Sequence, residues 1–392
     1  MRKNMIVTLK DITTKITKGT TPTSIGCKFE KSGINFIKSE SLVDGKTIDK
    51  SKFAFISERT HERLKRSQIE ENDILFSMAG MFLGKTGIAT AEVVPANTNQ
   101  AVAIIRVDDT KANYEYVYYY LNQKSVIHTI NTTSAQSAQP NINLKQIGKI
   151  KINLPDRKKQ DQIVSLLSAI DLKISNNVEI NDNLEQQAAA LFSSLYNRSN
   201  TEVRYTDLIQ ILGGGTPKTG ETAYWNGNIA FFTPKDVGTP YTFITEKTIT
   251  EEGLSHCNSR LYPVNTVFVT ARGTVGKVGL SGVPMAMNQS CYALVGKETH
   301  QLLVYFYTLK AVDRLKHKAS GAVFDAITTR DFDSEQIMKL SDDDAKAFLC
   351  VAEPMFQEIL NNSIENLRLS TLRDFLLPKL MSGEIDVSSV QL

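Results

Sequence analysis

The strongest constraint on the fold is an internal repeat, because the two halves of this 392-residue chain carry the same motifs in the same order. Gly-Thr-Thr-Pro at residues 19–22 returns as Gly-Thr-Pro-Lys at residues 215–218. The pair Asn-Gln at residues 99–100 returns at residues 288–289. Order is kept while loop lengths differ, as expected for two copies of one fold with variable loops. The sequence therefore predicts two similar globular domains.

Each copy ends in a long segment of helical periodicity, in which apolar residues or asparagines recur at alternating steps of four and three. This pattern predicts a coiled-coil seam. The first seam is Ile163, Leu167, Ile170, Ile174, Asn177, Asn181, Leu184, Ala188, Leu191 and Leu195. The second, offset by 185 residues, is Phe348, Ala352, Met355, Ile359, Asn362, Asn366, Leu369, Arg373, Leu376 and Leu380. Only Arg373 departs from the class of its counterpart.

The matched seams predict that the two helices pack on each other as an antiparallel coiled coil, with one domain at each end and a pseudo-two-fold axis. Parallel packing, which would bring both domains to the same end, is the alternative. The paired asparagines indicate a register device, because buried amides are satisfied only in the correct alignment. Pro354 lies within the second seam and Pro378 near its end, so we expect that helix to kink or to start late.

Between the motifs, the globular halves alternate short strands with turns and a few helices. Residues 74–77, 102–107 and 267–270 are typical of strands, and residues 114–120 and 302–310 of helices. The predicted fold class is therefore mixed α/β. We expect a globular domain at residues 1–155, a helix at 156–198, a second domain at 199–338, a second helix at 339–385 and a tail at 386–392.

Composition and charge narrow the class of protein. Hydrophobic residues make up 41% of the chain and charged residues 22%, as in globular proteins, and no apolar run has the roughly 18 residues of a membrane-spanning helix. With no signal-peptide core and four widely spaced cysteines, we expect a cytoplasmic protein with reduced thiols. Residues 1–155 carry a net charge of +8 and the remainder −5. A basic half fits a nucleic-acid partner, although a solvated basic surface is an equal alternative.

No catalytic or metal-binding arrangement is evident in the sequence. The glycines between residues 80 and 85 are too closely spaced for a phosphate-binding Walker loop. A methyltransferase tetrad of Asn or Asp, two prolines and an aromatic residue is lacking, and so is a nuclease-like carboxylate cluster. The five histidines have no ligand spacing. We therefore predict a chain without catalytic or metal residues of its own.

Several motifs together carry a family resemblance. They are the repeated Gly-Thr-Pro entry, Tyr-Trp-Asn-Gly-Asn-Ile at residues 224–229, Thr-Ala-Arg-Gly-Thr-Val-Gly-Lys at 270–277, Ile-Asn-Leu-Pro at 152–155, and Phe-Leu-Leu-Pro-Lys-Leu-Met-Ser-Gly-Glu-Ile at 375–385. In this order and in duplicate, the chain resembles the specificity subunit of type I restriction–modification enzymes. The first half lacks the Tyr-Trp and arginine-bearing forms, so we expect the two domains to read different sequences.

The resemblance implies a non-catalytic subunit that reads double-stranded DNA. Each target-recognition domain would read one part of a split, asymmetric target, and the helix pair would set the number of unread base pairs between the parts. Two modification subunits would dock along the helices and methylate adenine N6 from S-adenosylmethionine. Restriction subunits would use ATP and Mg²⁺. None of these cofactors is expected on this chain.

Reading DNA requires amide, hydroxyl and basic side chains on loops. On that basis, the candidate DNA-binding residues of the first domain are Lys18, Thr20, Ser39, Ser77, Lys85, Asn99, Gln100, Ser134, Gln136 and Ser137. Those of the second are Thr216, Lys218, Thr233, Lys235, Arg272, Thr274, Lys277, Asn288, Gln289 and Ser320. The asparagine–glutamine pairs could instead satisfy local backbone, and Arg272 could pair with an acid of its own domain.

Three other functions stay open from sequence alone. The chain could be a duplicated scaffold that holds two protein partners apart without binding DNA. It could be a silent or orphan recognition subunit, or a self-contained methyltransferase. Methyl transfer by the purified chain would favour the last. Loss of partner binding on mutation of the seams, with no dependence on DNA anywhere, would favour the scaffold.

Overall fold

The computed structural model describes residues 5–43, 45–134, 141–238, 240–318 and 326–387. The chain divides into two compact units, of which unit 1 contains Met1–Lys173 and Leu369–Leu392 and unit 2 contains Ile174–Arg368. The division falls inside the long helices, whereas the sequence-based boundaries lie at their ends. The two criteria differ because a helix that covers a core belongs, by its contacts, to that core.

Unit 1 holds the first copy of the repeat. Its strands are β1 (Met5–Thr8), β2 (Thr13–Lys18), β3 (Ile34–Ile37), β4 (Ala54–Ile56), β5 (Gln68–Ile69), β6 (Ile74–Ser77), β7 (Thr86–Ile88), β8 (Ala96–Thr98), β9 (Val102–Val107) and β10 (Lys151–Leu154). Its helices are α1 (Glu58–Arg63), α2 (Tyr114–Leu121), α3 (Lys124–Ser134), α4 (Leu144–Gly148) and the first part of α5 (Arg157–Arg198).

Two four-stranded sheets form the body of unit 1. One is antiparallel, in the order β2-β9-β6-β7, and the other has the order β4-β3-β8-β5 with β3 parallel to β8. The central strand β6 is apolar because both its faces are covered. Ile74 and Phe76 join the core cluster that contains α2, while Leu75 joins the cluster beneath the second sheet. The period-two alternation of a strand thus sorts its residues between two cores.

Unit 2 holds the second copy. Its strands are β11 (Thr201–Arg204), β12 (Ile209–Gly213), β13 (Trp225–Phe232), β14 (Tyr241–Thr242), β15 (Lys247–Ile249), β16 (Val267–Thr270), β17 (Val278–Ser281), β18 (Met285–Met287), β19 (Cys291–Gly296) and β20 (Gln336–Lys339). Its helices are α6 (Tyr205–Leu208), α7 (Glu251–Ser255), α8 (Gln301–Lys318), α9 (Thr329–Asp333) and most of α10 (Asp342–Ser382). The sheets have the orders β12-β19-β16-β17-β14 and β15-β13-β18.

The strand pairings confirm the repeat. The order β12-β19-β16-β17 of unit 2 corresponds to β2-β9-β6-β7 of unit 1, and the parallel pair β13 and β18 corresponds to β3 and β8. Each copy is also closed by an antiparallel two-stranded ribbon, β1 with β10 and β11 with β20. The second strand of each ribbon leads directly into a long helix.

Within each unit, segments of α5 and α10 lie side by side and run antiparallel. In unit 2, Arg198 pairs with Asp344 at 2.7 Å and Asn177 donates to Asn366 at 2.9 Å, so one helix ascends as the other descends. In unit 1, Asp171 accepts a hydrogen bond from Arg373 at 3.0 Å. The predicted antiparallel packing is confirmed. All seam residues named from the sequence are buried or half-buried.

The second long helix begins earlier than one of the two sequence-based alternatives, a late start at Pro354, would place it. α10 begins at Asp342, well ahead of Pro354, and continues through both Pro354 and Pro378. The predicted late start is therefore wrong. Each proline removes one backbone donor, but Phe348, Ala352 and other apolar side chains around Pro354 are buried in the unit 2 core and hold the helix in place.

The asparagines of the two seams meet inside unit 2. Asn362 Nδ2 donates to Asn181 Oδ1 at 3.0 Å, and Asn177 Nδ2 donates to Asn366 Oδ1 at 2.9 Å. Because Asn177 and Asn181 are the repeat counterparts of Asn362 and Asn366, these two hydrogen bonds are related by the repeat. An alignment shifted by one residue would break both.

Candidate nucleic-acid interface

Two of the motifs repeated in each copy, the Gly-Thr-Pro entry and the Asn-Gln pair, come together in space. In unit 1 the hydroxyl of Thr21 donates to Oε1 of Gln100, and in unit 2 the hydroxyl of Thr216 donates to Oε1 of Gln289. The Gly-Thr-Pro entry and the Asn-Gln pair are distant in sequence, yet they form one surface in both copies. Thr21, rather than the nominated Thr20, is the counterpart of Thr216.

The neighbouring asparagine shapes its own turn in both copies. Asn99 Oδ1 accepts the backbone N–H of Ala101 at 3.0 Å, and Asn288 Oδ1 accepts that of Ser290 at 3.0 Å. A short polar side chain that bonds the backbone two residues on is typical of such turns. For these carbonyl oxygens, the alternative that they satisfy local backbone is therefore correct.

In unit 2 some of the candidate residues line a surface cleft of about 450 Å³. Its walls come from the loop after β13, the start of β15, the glycine turn after β16 and the loop after β18. The lining residues are Thr233, Pro234, Lys235, Glu246, Lys247, Gly273, Thr274 and Asn288. Four of them, Thr233, Lys235, Thr274 and Asn288, are candidates named from the sequence.

Hydrogen bonds fix the cleft walls to one another. Thr274 Oγ1 donates to the carbonyl of Pro234 at 3.0 Å, which joins the glycine turn to the loop after β13. Asp236 accepts the N–H and hydroxyl of Thr233 at 2.8 and 2.6 Å with one oxygen, and the N–H of Glu246 at 2.7 Å with the other. The cleft is consequently pre-formed, which lowers the entropic cost of binding.

Basic side chains lie on the glycine turn after β16 and on the Gly-Thr-Pro loop after β12. Arg272, Lys277 and Lys218 are exposed. The backbone of Arg272 forms a β-bridge with Ala326, and among the described residues its guanidinium has no acidic partner. The alternative that Arg272 pairs with an acid of its own domain therefore has no support in that part of the chain.

The unit 1 candidates are less concentrated. Lys18 ends β2, Ser39 begins a 3₁₀ turn, and Lys85 is half-buried before β7. Thr20 accepts a hydrogen bond from Arg66 at 3.2 Å. Ser134 is the last residue of α3, while Gln136, Ser137 and Ser320 lie outside the described residues.

Ser77 requires a correction. Its exposed fraction is 0%, and its hydroxyl lies beneath the turn without a hydrogen-bond partner. It therefore offers no surface to DNA. At the corresponding position of unit 2, the Thr270 hydroxyl accepts the N–H of Lys277 at 2.9 Å. A hydroxyl at this position therefore stabilises the glycine turn from its buried side.

Sequence reasoning also missed residues of this surface. In unit 1, Arg63 donates to the carbonyl of Ile25 at 3.1 Å and Arg66 holds Thr20, so both arginines bind the entry loop. In unit 2, the ammonium of Lys247 lies 5.5 Å from the centre of the Trp225 ring. Arg63, Arg66 and Lys247 lie outside the repeated motifs. Trp225 belongs to the Tyr-Trp motif, which indicated the family but not a contact with DNA.

The remaining titratable groups do not form a reaction centre in the described residues. Burial raises the pKa of the Cys291 thiol to about 12, so it stays protonated at neutral pH. No group of three or more metal-ligating side chains occurs in the described part of the chain. Nor does any helix described there combine the length and apolar character needed to cross a membrane. What the surface presents is hydrogen-bonding groups and positive charge.

Comparison with known families decides the class. A family model for the type I restriction modification DNA specificity domain matches the chain twice, over residues 1–186 and 197–339. The chain belongs to this family. As a specificity subunit it is non-catalytic, as predicted from the sequence, and the two matches coincide with the two copies of the repeat.

Individual relatives of this specificity subunit support the same family assignment. The chain is 23% identical over 355 residues to the type I restriction enzyme HindI specificity subunit of Haemophilus influenzae, covering 69% of this chain and 77% of that one. It is 29% identical over 231 residues to the EcoR124I/EcoR124II specificity subunit of Escherichia coli, covering 54% of each. The S subunit structure from M. genitalium has the same fold, with a TM-score of 0.58, 15% identity and coverage of 96% and 95%.

Proposed function

We propose that this specificity subunit binds duplex DNA and that each of its two copies reads one part of a split, asymmetric target. The observation that supports this most is the duplicated surface. The Thr–Gln hydrogen bond is present in both copies, while the charged groups around it differ. A shared platform with different reading groups is what two unlike half-targets require.

The lysines of the surface would supply contacts that do not depend on sequence, whereas its arginines can also read the edge of a guanine through two hydrogen bonds. Arg63 and Arg66 in unit 1, and Lys218, Arg272 and Lys277 in unit 2, are exposed cations. Cations of this kind neutralise phosphates and release counterions, so binding weakens steeply as salt rises. Amide and hydroxyl groups beside them would read base edges.

The subunit would work with partners that hold the catalytic centres. We infer two modification subunits, which methylate adenine N6 from S-adenosylmethionine, and restriction subunits that use ATP and Mg²⁺. These cofactors belong to the partners in this proposal. The idea that the long helices set the number of unread base pairs stays a prediction.

Methylation mapping tests the proposal. The full chain is co-expressed with its cognate modification subunit, and methylated adenines are mapped across the host genome. We expect a two-part motif with a constant gap, and the purified complex should bind that duplex with an affinity that falls log-linearly with salt. A complex that forms and shows no DNA dependence would instead support the scaffold function, and methyl transfer by the isolated chain would contradict a non-catalytic subunit.

A further inference from the structure

One residue of the unit 2 cleft has a charge opposite to what a DNA-binding surface ordinarily presents. Glu246 is exposed immediately before β15 and lies in the wall of the cleft. Phosphates repel a carboxylate, so an acid in such a place costs binding energy unless a cation of the protein or a donor of the ligand pairs with it.

The fold itself does not require a charged residue there. Phe231 faces Lys247 across the pair β13 and β15, and its counterpart Phe36 faces Ala54 across β3 and β4. This register makes Phe53 the counterpart of Glu246. Phe53 is half-buried against the unit 1 core, so the same strand start can be apolar. The acidic residue is therefore a property of the unit 2 cleft alone.

The structure holds the backbone of Glu246 in a defined position. Its N–H donates to Asp236 Oδ1 at 2.7 Å, and the other oxygen of Asp236 holds Thr233. Glu246 thus stands at a fixed place relative to the opposite wall. A reading group must be positioned in this way for its hydrogen bonds to discriminate between bases.

Two lysines flank the carboxylate and offset its charge. Lys235 Nζ lies 3.6 Å from Glu246 Oε2, and Lys247 is anchored over the Trp225 ring. Both lysines are exposed. Their charges can serve phosphates while the carboxylate remains an acceptor.

We propose that Glu246 is a specificity-determining residue of unit 2, which accepts a hydrogen bond from the exocyclic amino group of a base in the major groove. An ionised carboxylate can only accept hydrogen bonds. Among the major-groove edges, the donors are the amino groups of cytosine and adenine, whereas guanine and thymine present acceptors. The half-target read by unit 2 therefore contains a cytosine or adenine at the Glu246 position. This inference rests on the proposed function.

The test compares methylation maps of the full chain in complex with its modification subunit. The Glu246→Gln side chain keeps the size but can also donate, so it should accept bases that wild type rejects at one position of one part of the motif. We expect methylation of those altered sites to rise about tenfold relative to wild type. Glu202→Gln, an exposed change on β11, is the matched control and should leave the map unchanged.

A second variant separates base reading from general electrostatics. Lys235→Gln should weaken binding to all sequences alike and lower the slope of log affinity against log salt by about one, without changing the motif. If Glu246→Gln changes affinity uniformly, or leaves every motif position as in wild type, this inference is overturned while the proposed function stands. If wild type itself yields no two-part motif, the proposed function fails first.

Discussion

Asn181 and Asn362 show at the scale of single residues how a buried polar group can stabilise one alignment. The exposed fractions of the two side chains are 9% and 6%, and one amide donates to the other at 3.0 Å. Removing one partner leaves the other buried and unsatisfied, which costs more than the bond itself contributes. Asn177 already has a carbonyl oxygen without a partner. The cluster therefore lowers the stability of the fold while it fixes the alignment of the two helices.

Asn362→Leu should therefore lower the free energy of unfolding by about 1–3 kcal/mol. The double change Asn181→Leu with Asn362→Leu should recover most of that loss, because no unsatisfied partner is left from the pair. Urea unfolding of the single and double variants measures the difference. Asn176→Leu on the exposed face of α5 is the control, and a double variant less stable than either single one would contradict the argument.

Glu185 gives a residue-scale prediction about pH. Burial is the main reason why the pKa of Glu185 is raised, and the hydrogen bond from Tyr305 at 2.9 Å only partly opposes it. A carboxyl group with a raised pKa favours the fold when protonated, so stability falls as pH rises above the ordinary value of 4.5. Glu185→Gln should raise the thermal midpoint at pH 7 and change it little at pH 4. Equal shifts at both pH values would refute this assignment.

At the scale of elements, the two copies are joined to the long helices by different chemistry. In unit 1, apolar residues such as Leu167 pack into the core, and a group of charged side chains adds a second contact. Asp171 on α5 accepts hydrogen bonds from Tyr119 on α2 at 2.5 Å and from Arg373 on α10 at 3.0 Å. Lys46 donates to Ser168 on α5 at 2.9 Å and pairs with Glu115 at 2.7 Å. The contact with Asp171 explains why the second seam has Arg373 where the first has Ala188.

In unit 2 the corresponding contact is aromatic. Phe192 on α5 packs against Phe306 on α8 with ring centres 5.1 Å apart, and against Phe348 on α10 at 5.5 Å. Phe356 lies 5.6 Å from Phe306. Burial of apolar surface, unlike an ion pair, is not screened by salt.

Salt should therefore affect the unit 1 contact selectively. A double-mutant cycle of Arg373→Ala and Asp171→Ala should give a coupling energy of about 1 kcal/mol at low salt, and less at 1 M NaCl. Hydrogen exchange in the first half of α5 reports the same contact locally. A coupling energy near zero in both conditions would mean that the pair does not hold this helix.

Phe192→Ala provides the contrast in unit 2. Deleting a fully buried aromatic side chain should cost about 3–5 kcal/mol, and the loss should be the same at low and high salt. Chemical unfolding in both conditions is the measurement. A cost that shrinks in high salt would show that charged groups, not packing, dominate this contact.

At the scale of the whole molecule, the features that occur in both copies could be predicted from the sequence, whereas residues particular to one copy were missed. Matching motifs located both copies, the strands at residues 74–77 and 267–270, and the antiparallel helix packing, because each is encoded twice. The Thr21–Gln100 contact confirms that paired motifs meet in space. Arg63, Arg66 and Glu246 were missed because only tertiary structure brings them to the surface around those motifs. The prediction for Ser77 was wrong because a hydroxyl at the end of a strand can be buried beneath the following turn instead of being exposed on its surface.

Both copies also contribute to a single function in this account, each through its own loops. Arg66 belongs to the unit 1 surface and Arg272 to the unit 2 surface. If each copy reads separately, a change in one surface should leave the reading of the other intact. Sites that act independently give additive and separable effects.

The most direct measurement is a comparison of methylated-adenine maps for complexes that carry Arg66→Gln or Arg272→Gln. The two variants are predicted to relax opposite parts of a two-part motif, each leaving the other part and the gap as in wild type. If both variants relax the same part, or if the motif proves continuous, then the two copies do not read separate parts of the DNA.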